Sequence, residues 1–159
     1  MQKGFATLEI IFAVIIVVAL TTCALPNAVR MIDNVALDYE YKRLYSELRF
    51  LQAVSRSTSV SDAGTGKNFA STVSPVMKIS PDKLSYQIKR GNDELREAHK
   101  MHYIANLDFT GKVYNEISFD DTGKSNVTSN SIILTSRLGK SKKIVFDSVG
   151  RIRGGRDNE

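Results

Sequence analysis

Apolar positions fall into three regimes along these 159 residues. From Phe5 to Leu25 they are nearly continuous, with Glu9 the one charge and Thr21, Thr22 and Cys23 the main interruption near the end. From Leu37 they recur at alternating steps of four and three, as Leu37, Tyr41, Leu44, Leu48 and Leu51, which places them on one helix face. The other faces carry Asp33, Asp38, Glu40, Lys42, Arg43, Glu47 and Arg49. From Leu84 onward the period changes to two.

The first two regimes predict one long helix from about Phe5 to about Ser57, on the order of 80 Å at 1.5 Å per residue. A run of about 20 apolar residues is enough to cross a bilayer. Pro26 removes one helical hydrogen bond and favours a kink, so two separate helices remain an alternative. Ser55 to Ser74, rich in Ser, Thr, Gly and Asp, predicts the helix end and a loop. Strands are expected at Leu84 to Ile88, Tyr103 to Phe109, Val113 to Phe119, Ile132 to Thr135 and Lys143 to Phe146. Thr110-Gly111-Lys112 links the second to the third, and Leu138 to Lys142 suits a hairpin tip. The charged stretch Arg90 to Lys100 suggests a loop or a helical turn, with Gly91-Asn92 turning the chain. Two segments resemble each other: Ile117-Ser118-Phe119-Asp120-Asp121-Thr122-Gly123-Lys124 and Ile144-Val145-Phe146-Asp147-Ser148-Val149-Gly150-Arg151. Asp and Gly at these offsets suit a tight turn, because Asp bonds its own backbone and Gly takes positive φ.

Composition adds limits. Beyond the apolar run the chain has room for one modest core. The formal net charge is +5, and the surplus lies at the end, with seven basic and three acidic residues from Arg137 to Glu159. Cys23 is the only cysteine, so no internal disulfide forms and packing must supply stability.

Met1-Gln2-Lys3-Gly4 is a short basic leader ending in Gly, followed by Phe5 and, four places on, Glu9. This arrangement resembles the class III signal of type IV pilins and pseudopilins. The resemblance implies cleavage after Gly4 by a prepilin peptidase, methylation of Phe5, and a proline just past the apolar stretch, where Pro26 stands. It also implies that Glu9 neutralises the N-terminal amine of a neighbouring subunit. A carboxylate in lipid is costly and marks function by default, and pairing it with an ammonium removes much of the penalty. The two Phe-Asp-x-x-Gly segments resemble the GspH/FimT-like branch of minor pilins. Two other readings of the run fit less well. An A-x-A-like secretory site is poorly matched at Thr22-Cys23-Ala24, and a lipobox ending at Cys23 is poorly matched because Thr22 precedes it.

Gly150-Arg151-Ile152-Arg153-Gly154-Gly155-Arg156 carries three arginines. Arg grips phosphate through its planar fork, and residues two apart on a strand share a side. Some FimT-like minor pilins are thought to bind DNA through Gly-Arg-x-Arg, which Gly150 to Arg153 matches. Lys140, Lys142 and Lys143 would extend the patch, whereas a solvated basic tail is the plainer account. No aromatic residue interleaves with these arginines, so base stacking has little support. Gly64 to Lys67 fails the phosphate-loop pattern at Ser61 and Asn68. His99 and His102 lack partners for a metal set and are expected on the surface. Asn126-Val127-Thr128 matches the glycosylation sequon by chance.

The expectation is therefore an α+β, type IV pilin-like fold: leader 1–4, transmembrane and assembly helix 5–25, amphipathic continuation 26–57, and a β-rich soluble domain 58–159. It is a structural subunit of a type II secretion pseudopilus or type IV pilus, or else a DNA-binding minor pilin serving uptake. It is not an enzyme and needs no cofactor or metal. Its partners are other pilins, the prepilin peptidase and the inner-membrane assembly platform. It sits as a single pass in the cytoplasmic membrane, with the soluble domain outside the cytoplasm.

Overall fold

The computed structural model describes residues 3–62, 74–110, 115–126, 131–147 and 149–155, with the backbone alone at 3–7 and 58–62. In chain order the elements are α1 (Lys3–Asp62), β1 (Val76–Ile79), β2 (Ser85–Arg90), β3 (Asp93–Lys100), β4 (Ile104–Thr110), β5 (Glu116–Ser118), β6 (Ser131–Ser136), β7 (Ser141–Phe146) and β8 (Ile152–Gly154).

The helix is unbroken for 60 residues with Pro26 inside it, about 90 Å at 1.5 Å per residue. Local side chains supply extra bonds around the proline. Thr21 Oγ1 donates to Val17 O at 2.7 Å, Thr22 Oγ1 to Ala19 O at 2.8 Å, and Asn27 Nδ2 to Cys23 O at 3.3 Å. The helix also continues five residues past Ser57, through part of the stretch expected to be loop.

Two antiparallel four-stranded sheets follow, ordered β3-β2-β1-β5 and β4-β6-β7-β8. Three expectations are corrected here. Arg90 to Lys100 is neither loop nor helical turn but strand β3, paired with β2 across a turn at Gly91, where φ is +59°. It shows no apolar alternation because it is an edge strand with most side chains in solvent; charge on such an edge discourages strand addition. The strand expected from Val113 to Phe119 is β5 over Glu116–Ser118. It pairs with β1 in the first sheet while β4 belongs to the second, so the two candidates joined by Thr110-Gly111-Lys112 are not neighbours. β1 was not anticipated, since Val-Met-Lys-Ile is too short to show a period.

One core joins helix and sheets. Leu37, Leu44, Leu48 and Leu51 are buried against Met77, Ile88, Leu107, Ile117, Ile132, Leu134, Ile144 and Phe146. Each fully buried side chain of this size contributes about 1.5–3 kcal/mol. Tyr41, expected on the same face, is half-buried at its margin.

Candidate functional site

Among the described residues, the apolar half of α1 is exposed throughout, from Leu8 to Ile32. Leu8, Ile10, Phe12, Val18, Leu20 and Leu25 are each more than half exposed. The helix is long and apolar enough to cross a membrane by length and composition, with a mean hydropathy of 2.7 over its most apolar window. Glu9 is exposed within this stretch, as are Cys23 and Pro26. Gly4 and Phe5 lie in the helical backbone.

The basic C-terminal residues do not gather into one patch. β7 and β8 are antiparallel, with Val145 opposite Arg153 and Phe146 opposite Ile152. Ile152 therefore enters the core, and Arg151 and Arg153 stand exposed on the outer face, which Lys143 shares. Arg153 Nη2 is 3.1 Å from Asp147 Oδ2. Lys142 faces the opposite way, paired with Asp38 at 2.5 Å and lying over the Tyr41 ring. This corrects its place in the patch: alternation on β7 sends Lys142 toward the helix. Its ammonium holds the Asp38 carboxyl below the ordinary carboxylate range. Lys140 is exposed on the β6–β7 turn. Arg156 lies outside the described residues.

The two similar segments adopt the same turn. Gly123 N donates to Asp120 O and Asp120 N to Lys124 O. Likewise Gly150 N donates to Asp147 O and Asp147 N to Arg151 O, all at 2.9–3.0 Å. Both glycines have positive φ, +82° and +80°. The turns stack back to back, with Phe119 and Phe146 ring centroids 6.4 Å apart beneath them. Gln52 closes the arrangement from the helix. Its buried Nε2 donates to Gly123 O at 2.7 Å and to Gly150 O at 2.6 Å. One side-chain amide thus ties the last hairpin of each sheet to α1. The repeated Phe-Asp-x-x-Gly was legible beforehand; Gln52 was not, because a Gln on a charged helix carries no distinguishing signal.

Acidic residues on the helix flanks make similar ties. Asp33 Oδ2 accepts from Ser136 Oγ at 2.6 Å, Glu40 Oε2 lies 2.8 Å from His99 Nε2, and Glu47 Oε2 is 3.7 Å from Arg96 Nε. Glu40 is only 2% exposed and the His99 side chain 15%. His99 is thus not a surface histidine: β3 lays it over the helix, edge-on to Tyr86 at 5.4 Å. Burial pushes the Tyr86 hydroxyl pKa well up, against a smaller opposing pull from Arg43. Among the described residues no group of three or more His, Cys, Asp or Glu is placed to hold a metal ion.

The class this geometry defines is an α+β protein in which a projecting apolar helix carries a two-sheet domain. Comparison with protein-family models, curated proteins and solved structures yields no match.

Proposed function

We propose that this chain is a minor pilin or pseudopilin. Its leader is removed after Gly4, its helix resides in the cytoplasmic membrane, and the same helix later packs among other subunits in a fibre. The observation that carries the reading is the projecting helix: a bilayer-length apolar surface, exposed all round, with one carboxylate at Glu9. In this reading Glu9 accepts the N-terminal ammonium of the adjacent subunit. Only one axial offset brings the two together, so the pair sets register.

Glu9→Gln tests it. Leaving one partner of a desolvated pair alone costs about 3–5 kcal/mol. Recovery in sheared fibres is therefore expected to fall at least about tenfold, with leader cleavage and membrane insertion unchanged. Undiminished incorporation would remove the proposed role of Glu9.

A second reading, DNA binding, is favoured by the exposed, same-sided placement of Arg151 and Arg153 beside Lys143. Its expected signature is a gel shift of the detergent-solubilised full chain that weakens as salt rises. The log–log salt slope should drop by about two in an Arg151→Gln, Arg153→Gln variant. An unchanged slope rejects this segment as the contact.

A further inference from the structure

We infer that the end of the β domain nearest the apolar helix is a docking surface for anionic phospholipid headgroups. The inference rests on the membrane-spanning part of the reading above and goes beyond it: the folded domain, and not the helix alone, touches the bilayer.

The direction of the domain along α1 follows from its contacts. Ser136 bonds Asp33, Lys142 pairs with Asp38, Tyr45 Oη donates to Ile152 O, and Gln52 holds Gly150. The β6–β7 turn at 137–140 therefore points toward the N-terminal, apolar half of the helix, and the Gly123 and Gly150 turns point away. The link between β3 and β4 lies at the same near end, because Ile104 pairs with Ser136 and Arg137 Nη2 donates to His102 O at 2.8 Å.

Heights decide whether this end reaches the membrane. Asp33 is eight residues past Leu25, about 12 Å along the axis at 1.5 Å per residue. The turn continues about two residues toward the membrane beyond Ser136, about 6–7 Å in extended chain. Its tip then lies about 5 Å above the end of the apolar run, within a headgroup layer about 5–7 Å deep on each side of the hydrocarbon.

The chemistry at the tip suits that layer. Leu138 is 52% and Tyr103 54% exposed, an aliphatic and an aromatic side chain with no core to enter. Arg137 and Lys140 flank Leu138, and Arg30 projects from the helix at a similar height, all exposed. Amphipathic aromatics and basic side chains are the residues that settle at membrane interfaces. Asp82 shares this end, and its carboxylate accepts from Leu84 N at 3.0 Å. The far end is of mixed charge, with Asp93, Asp120 and Asp121 exposed alongside Arg56, Lys124 and Arg151. Height separates the two ends: among the described residues, only the near end brings exposed basic and apolar side chains together within reach of an anionic headgroup layer.

The chain has no tryptophan, so single reporters are unambiguous. Three full-length variants, Leu138→Trp, Val149→Trp and Phe12→Trp, are reconstituted into phosphatidylcholine vesicles with and without about one-third phosphatidylglycerol, with lipids brominated at shallow or deep positions. Val149 is exposed on the far turn. In anionic vesicles the Leu138→Trp reporter is expected to shift to the blue and be quenched by shallow bromines, at least about threefold more than in neutral vesicles. The difference should vanish when Arg137→Gln and Lys140→Gln are added, and the Val149→Trp reporter should stay water-like. A water-like Leu138→Trp reporter beside a deeply quenched Phe12→Trp reporter overturns the surface contact and leaves the spanning helix intact. Absence of quenching at Phe12→Trp instead overturns the spanning reading and the contact with it. A Leu138→Trp signal that tracks protein density, not lipid charge, assigns the surface to a second copy and also overturns the inference.

Discussion

Gly150→Ala is expected to cost the β domain about 2–5 kcal/mol, combining left-handed strain with overpacking. Gly150 has φ +80°, a region where an L side chain costs about 1–2 kcal/mol. A Cβ there would also lie 2.2 Å from Gly123 O and 2.8 Å from its carbonyl carbon. Those are backbone atoms of the partner turn, so no rotamer relieves the clash. The two turns must separate, and separation breaks the Gln52 bridge. Gly139→Ala is the built-in control. Its φ is +85°, yet a Cβ there meets nothing within 4 Å, so it isolates the conformational cost at about 1–2 kcal/mol. Urea titration of both variants, following loss of the β signal, measures the difference. Equal effects would mean that the turns do not bear on each other.

Gln52→Ala should cost about 2–6 kcal/mol, because two buried carbonyls lose their donor at once and each unsatisfied group costs about 1–3 kcal/mol. Gln52→Glu separates hydrogen bonding from shape. At neutral pH a carboxylate would face Gly123 O and Gly150 O, acceptor against acceptor. Burial and repulsion raise the pKa of that carboxyl in the folded state above its unfolded value near 4.3. The protonated form can donate one bond, so the folded state binds the proton more tightly. Stability of this variant is therefore expected to be best at low pH and to fall as pH rises from the unfolded pKa through the folded one. The wild-type Gln52 amide has no such titration. A Gln52→Glu variant as stable at pH 7 as at pH 4, after subtracting the wild-type profile, would show that the amide is not the clamp.

These effects concentrate at one place because the domain is held to a single helix by few polar ties. Gln52 grips both sheets, and Glu40 grips β3 through His99. The apolar face from Leu37 to Leu51 supplies most of the adhesion, while the polar ties fix how the sheets are seated.

Local pattern alone was enough to read the helix, its apolar first half and its buried second face. Those signals are local: an uninterrupted apolar run, then a period near 3.6, each readable without knowing what lies opposite. Five of the strands, and both Phe-Asp-x-x-Gly turns, whose chemistry is set by Asp and Gly at fixed offsets, were legible in the same way. The rest depends on contacts between segments far apart in the chain. β3 was hidden because an edge strand in solvent needs no alternation, and β1 because four residues carry no period. The sheet partners of β4 and β5 depend on long-range pairing that no local pattern records. Glu40 and His99 looked like surface residues because polarity alone does not say where a partner waits. The basic tail divided for the same reason: alternation sends Lys142 inward to Asp38 and leaves Arg151 and Arg153 outside, and a strand's facing is fixed only once its sheet has packed.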